Sequence, residues 1–297
     1  MKKKVIIIAF IVLLMILAVC LKLGTGKTDE KKSMITVWNI EKDEEEINLP
    51  VWGAVDVLVD WGDGTPIEKI TSELPAHKYT SSGTYEIKVK GKCDMWGKFD
   101  LVTLVDDEKE AKMKKYKECI SEVKQFGELG VKGYYFANCS NLAIVSGENL
   151  VTENTFENVT DMTGMFFDCT KLENVDTSKF DTSKVISTAY MFFDCCDLEG
   201  LDCSNFNTDN LETMEAMFAY CEKIKELDLR SFNTSKVKNM DRLFFGCTNL
   251  EKLQLNNLDT SNIESIELMF YGCDKLDLNN ISGIDMTKVD KVEQNVT

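Results

Sequence analysis

The sequence predicts a mixed fold, a small β domain followed by a repeat solenoid, carried behind an N-terminal apolar segment. Three observations predict it. Six aromatic–cysteine pairs recur down the second half of the chain, Phe136/Cys139, Phe166/Cys169, Phe192/Cys195, Phe218/Cys221, Phe244/Cys247 and Phe270/Cys273, the last five locked 26 residues apart. Fixed self-similarity at such a period is the signature of stacked repeat units that cannot bury their apolar faces alone. Between Met34 and Lys92 the apolar residues instead alternate with polar ones, as in half-buried strands. The chain itself opens on Lys2, Lys3 and Lys4, followed by an unbroken apolar run from Val5 to Leu21. The expected boundaries are 1–23 for the anchor or signal segment, 24–33 for a polar linker, 34–93 for the β domain, 94–119 for a second linker and 120–297 for the repeats with their caps.

The 17 residues from Val5 to Leu21 sit at the short end of what spans a hydrocarbon core, and they exceed the usual apolar core of a cleavable signal. Lysines ahead of the run place the N-terminus in the cytoplasm and the remainder outside. Leu17-Ala18-Val19-Cys20 also resembles a bacterial lipoprotein signal, in which Cys20 would be lipidated, although that signal favours a small residue where Val19 stands. Retention, lipidation and cleavage all deliver the rest of the chain to the cell exterior, with the membrane as a partner of the N-terminal segment. The formal net charge is -16, and without the four lysines of the first 22 residues 30 bases face 50 acids. Such an acidic exported part repels nucleic acid at long range.

In the β region Val55, Val57 and Val59 alternate with Asp56, Leu58 and Asp60, and Tyr85, Ile87 and Val89 alternate with Glu86, Lys88 and Lys90. Between these runs Asp60-Trp61-Gly62-Asp63-Gly64-Thr65 forms a tight turn in which glycines supply positive φ and aspartates close the loop. This stretch, then His77-x-Tyr79 and Gly83-x-Tyr85-x-Ile87-x-Val89, resembles the polycystic kidney disease (PKD) domain, which implies an immunoglobulin-like β-sandwich of about 60 residues, somewhat shorter than usual. His77 is the only histidine of the chain, and without a nucleophile beside it it reads as a packing and hydrogen-bonding residue. Asp60 and Asp63 read as turn-formers, since calcium wants six or more oxygens.

Within one repeat, Val185, Thr188, Met191, Phe192 and Cys195 fall at helical spacing, which predicts a short helix with Thr182 and Ser183 as N-caps. The same pair recurs at Thr234/Ser235 and Thr260/Ser261. Leu198, Leu201 and Asp202 then predict a short strand or extended corner. The phrase V-x-x-M-x-x-M-F-x-x-C-x-x-L-x-x-L-D-x-S-x-F-x-T-S, running from Val159 and repeated after it, resembles the BspA-like leucine-rich repeats, also called the DUF285 or Mycoplasma-lipoprotein type. That resemblance implies an α/β solenoid of about six 26-residue coils on a surface protein used for adhesion or partner binding. The copy after Cys139 carries four extra residues before Val159 and is expected to bulge on one rim.

The six cysteines of the ladder occupy one equivalent position and are expected to be free, buried small hydrophobes. No C-x-x-C pair, no histidine near the ladder and no G-x-S-x-G motif occur, so neither a metal site, a cofactor nor an enzyme is expected. Candidate partner-binding residues are those that alternate with buried leucines on the strand face: Glu173, Asp176, Glu199, Asp202, Glu226, Asp228, Arg230, Glu251, Lys252 and Gln254. This mostly acidic face would contact a protein or glycan on another surface. An accessory glycan-binding protein is the second reading, and it requires Trp52 and Trp96 to form a surface platform.

Overall fold

The structure is a computed structural model describing residues 30–97, 107–255, 258–278 and 281. The apolar N-terminal run and Cys20 lie outside the described residues, among which no helix is long and apolar enough to cross a membrane.

Alternation builds the first part of the chain as expected. The strands are β1 (Met34–Ile40), β2 (Glu45–Asn48), β3 (Val51–Trp52), β4 (Asp56–Asp60), β5 (Glu68–Ile70), β6 (Ala76–Tyr79), β7 (Gly83–Lys92) and β8 (Met95–Trp96). In β4 Val57 and Val59 are buried while Asp56 and Leu58 face outward, the period-two division of a sheet with one covered face. After β8 the helix α1 (Asp107–Cys119) leads without a break into β9 (Ile120–Gln125), and the later strands are β10 (Ile144–Val145), β11 (Asn174–Val175), β12 (Glu226–Asp228) and β13 (Lys252–Gln254).

The expected free-standing β-sandwich is not what forms. β1, β7, β4 and β5 belong to one seven-stranded sheet of order β11-β10-β9-β1-β7-β4-β5, with β2–β6 and β3–β8 as small separate pairs. β9 is the junction: it pairs antiparallel with β1 on one edge and parallel with β10 on the other. A strand whose second edge would otherwise lie open thereby starts the stack of repeats. α1 is tied to β2 by the Lys115–Glu45 ion pair at 2.6 Å and packs Tyr116 against Trp38 with ring centroids 6.1 Å apart.

The expected α/β solenoid of helix-and-strand coils is overturned. The only α-helix among the described residues is α1, which precedes the repeats, and the repeat segments fold as tight turns joined by very short parallel strands. The reason lies in the backbone. In the third unit Tyr190 and Asp194 both have φ of 57°, and the same two positions are left-handed in the second unit (Gly164 and Asp168), the fourth (Ala216 and Tyr220) and the fifth (Arg242 and Gly246). A left-handed L-residue costs about 1–2 kcal/mol and ends a right-handed helix. What offsets that cost is a divided hydrogen-bond pattern. Tyr190, Phe192 and Asp194 donate their N–H groups to Glu215, Met217 and Ala219 of the next unit at 2.8, 2.9 and 2.8 Å, while Met191, Phe193 and Cys195 close local turns onto Thr188, Tyr190 and Phe192. Three-residue turns bring every third side chain inward, so their apolar spacing imitates that of a helix. The threonines expected as N-caps serve a different purpose. Thr182 Oγ1 donates to Asn207 O at 3.0 Å and accepts from Asn207 N at 2.7 Å, and Thr208 repeats the arrangement with Asn233.

Inside the stack the phenylalanines lie face to face. Phe166–Phe192, Phe192–Phe218, Phe218–Phe244 and Phe244–Phe270 are 5.5, 6.0, 6.0 and 5.8 Å apart with planes within 14° of parallel. The four extra residues before Val159 fall in the turn that carries Thr155, whose hydroxyl donates to Gly127 O at 2.7 Å. That turn closes against Gly127, just beyond the end of β9.

Candidate functional site

The strand face is built by turns that depend on its own aspartates. Asp176, Asp202 and Asp228 each accept, through Oδ1, the N–H of the residue two positions on, Ser178, Ser204 and Arg230, at 3.0, 2.9 and 3.1 Å. At Asp176 and Asp228 these bonds take over where β11 and β12 end, and at Asp202 the same bond closes the corner without a strand. They also hold the carboxyls down: hydrogen bonds from Ser178 and Ser204 lower Asp176 and Asp202, and Arg230 brings Asp228 to about 2. The repeated aspartates thus shape the corner as well as charging it.

Nine of the ten candidate side chains are exposed and Asp176 is half-buried. The structure gathers five of them. Asp202, Glu226, Asp228, Arg230 and Gln254 line one open groove of about 490 Å³ together with Leu201 and Ser231. Its long wall is the β12–β13 pair, in which Glu226 stands beside Lys252 with Nζ and Oε1 2.5 Å apart. Its other wall is irregular, because the third unit contributes no strand and the parallel ladder is interrupted between β11 and β12. Glu199 lies in a second hollow beside Lys223, Lys225 and Lys275. Glu173, Asp176, Glu251 and Lys252 are outside both.

The other sequence candidates have structural employment. His77 stacks on Trp61 at 4.4 Å and meets Asp63 Oδ2 at 2.8 Å, while Tyr79 donates its hydroxyl to Trp61 O. Gly62 is required in that turn, since a Cβ there would stand 2.4 Å from Glu86 O and its φ is +75°. Burial works to raise Asp63, but hydrogen bonds from Thr65 and His77 leave it lowered overall. Among the described residues no group of three or more His, Cys, Asp or Glu could hold a metal ion. Trp96 is fully buried against Tyr135 and Lys109 lies over the Trp52 ring, so the two tryptophans make no open platform.

No disulfide joins the ten cysteines of the described residues. Each thiol of the ladder from Cys169 to Cys273 donates to the carbonyl of the preceding unit's phenylalanine, for example Cys195 to Phe166 O at 3.2 Å and Cys221 to Phe192 O at 3.1 Å. Burial drives these thiols up, Cys139 to about 12 and Cys169, Cys195 and Cys247 well above the ordinary thiol value, which makes them poor nucleophiles.

The repeat geometry agrees with the comparison of the sequence with known families. A family described as "Mycoplasma protein of unknown function, DUF285" matches residues 134–227 and 199–297, together more than half of the chain. The chain belongs to the DUF285 family. No curated protein and no solved structure matches this DUF285 chain. The matched residues hold the whole stack from Tyr134 onward and leave β1–β9 and α1 outside.

A second outward row lies outside the strand face and was not among the residues expected to bind. A column of aromatic side chains, one from each unit and beside the phenylalanine core, runs Tyr134, Phe167, Phe193, Tyr220, Phe245, Tyr271. Phe167, Phe193 and Phe245 directly follow the core phenylalanines in sequence, and that doubled aromatic was the available signal.

Proposed function

We propose that this DUF285 chain is a non-enzymatic surface protein, held at the membrane by its N-terminal segment, whose strand face binds a protein on another surface. The groove that gathers Asp202, Glu226, Asp228, Arg230 and Gln254 from three successive units is the observation that carries the reading. On the strand side each unit buries its leucines and turns its charged side chains outward, so this face is suited to display. Mixed acid and base on one rigid rim favours a partner carrying complementary charge of both signs. A glycan is the second reading, and the burial of Trp96 counts against it.

The test uses the purified full-length chain in detergent against immobilised extracellular-matrix proteins and an array of glycans. Binding to a protein target should fall at least tenfold when Asp202→Asn, Glu226→Lys, Asp228→Asn and Gln254→Lys are combined, the asparagines keeping the Oδ1 acceptor of each turn. Binding that survives these four changes, or wild-type binding to glycans alone, contradicts the proposal.

A further inference from the structure

The aromatic column on the turn side of the stack has the makings of a second contact surface, independent of the strand face. Neighbouring rings are 6.4, 4.8, 5.4, 5.2 and 5.1 Å apart from Tyr134 to Tyr271, so the apolar stripe is continuous over six units. It is only partly covered: Tyr220 and Tyr271 are each 38% exposed and Phe167, Phe193 and Phe245 are half-buried. Space is made for it in the backbone. A Cβ at Gly164 would stand 2.1 Å from the Tyr134 ring, and one at Gly246 2.7 Å from Tyr220. The large rings therefore lie on glycines of the next unit.

Two further features narrow the occupant. Phe167 and Phe193 are stacked with planes 5° apart, and Phe245 and Tyr271 with planes 17° apart, so each pair covers one face of either ring with its neighbour. A sugar ring seeks an open aromatic face, whereas an alkyl stem packs equally well against ring edges. Acids border the stripe. Asp168 and Asp194 follow Phe167 and Phe193 directly and occupy one position in adjacent units, where the Asp168 N–H donates to Phe193 O at 2.8 Å, and Glu215 accepts from the Tyr190 hydroxyl next to Phe193. Burial first, and then the neighbouring Asp194 charge, raises Asp168, with Lys117 as the opposing base. Arg242 is the one base within the left-handed positions of this side among the described residues.

We propose that this stripe docks a lysine- or arginine-rich peptide segment, whose alkyl stems lie along the aromatic edges while the cationic heads meet Asp168 and Asp194. The cation relieves two carboxyls held side by side, and the stems cover the exposed tyrosines. The surface differs from the strand groove, so each can fail without the other.

The test is fluorescence anisotropy with labelled peptides of alternating lysine and leucine, and of alternating glutamate and leucine, titrated with the full-length chain in detergent. The basic peptide should bind and the acidic one should not. Asp168→Asn with Asp194→Asn should weaken binding about tenfold, and Tyr220→Ser with Tyr271→Ser, which changes no charge, at least threefold. Glu41→Gln with Glu46→Gln, removing equal charge elsewhere, should stay within twofold. Circular dichroism melts of each variant confirm that loss of binding is not loss of folding, and a variant that melts early is replaced by the conservative pair Tyr220→Phe and Tyr271→Phe, which should keep binding. Equal weakening by the Glu41 and Glu46 changes reveals attraction to net charge alone and overturns the proposal, as does an unchanged affinity in the serine variants.

Discussion

A cysteine is placed once per unit because a small side chain with a weak donor is what that corner accepts. The site leaves room for one buried sulfur and offers it the preceding unit's phenylalanine carbonyl. With their thiols pushed up by burial, Cys169, Cys195, Cys221 and Cys247 should resist iodoacetamide at pH 8 in the native chain and react fully in urea, as read by mass spectrometry of pulse-labelled peptides. Cys221→Ala should destabilise by about 1–2 kcal/mol, from a lost hydrogen bond and a small void. The inward set was legible in the sequence, because Phe218 and Cys221 are apolar at every copy. The left-handed residues were not. Ala216, Arg242 and Leu268 carry no glycine to announce a positive φ, so the periodicity read as a helix. Ala216 has φ of 50° whereas its neighbour Ala219 is outside the left-handed region. Ala216→Gly should therefore stabilise by about 1 kcal/mol and Ala219→Gly destabilise by about 0.5–1 kcal/mol in urea melts.

At the scale of elements, two kinds of junction hold the chain together. The first joins α1 to β2 through Lys115 and Glu45, whose side chain is 10% exposed. Burial acts to raise Glu45, but the hydrogen bond and charge of Lys115, with the backbone N–H groups of Lys42 and Glu41, leave it below its ordinary 4.5. A depressed carboxyl adds stability that is present above its unfolded value and is lost as pH falls through the folded one. Thermal midpoints of the wild type should thus drop more steeply below pH 4.5 than those of Glu45→Gln. The second junction is between units. Lys184, Asn210, Lys236 and Asn262 occupy one position in successive units, and Lys236 Nζ donates to Asn210 Oδ1 at 2.7 Å, while Asn210 and Asn262 donate to Ser183 O and Ser235 O. Alternation keeps lysines from standing next to each other at a spacing of one unit. Asn210→Lys should cost about 0.5 kcal/mol at low salt and less at high salt. The sequence held this alternation openly, but its meaning needs the register, which only the parallel bridges from Asp161 through Ser187, Thr213 and Asn239 to Ser265 supply.

Across the described residues the β region shares one sheet with the first repeat strands, β10 and β11, and a single apolar core reaches from Met34 to Cys273. Alternation in β4 and β7 announced the strands, but not that β1 would take β9 as its neighbour, since the hydrophobic pattern of a strand names its buried face and leaves its edge partner open. Nine of the ten face residues are exposed, while the groove among them lies where the third unit contributes no strand, which no spacing rule foretells. The central claim is that successive units are welded by backbone hydrogen bonds, so that both outward rows are held rigid. Hydrogen exchange followed by mass spectrometry across 159–273 tests it most directly. The N–H groups of Phe166, Phe192, Phe218 and Phe244, each bonded to the following unit at 2.9–3.0 Å, should exchange together and only with global unfolding. Exchange of single units one by one, at rates near those of the exposed loops, would contradict it.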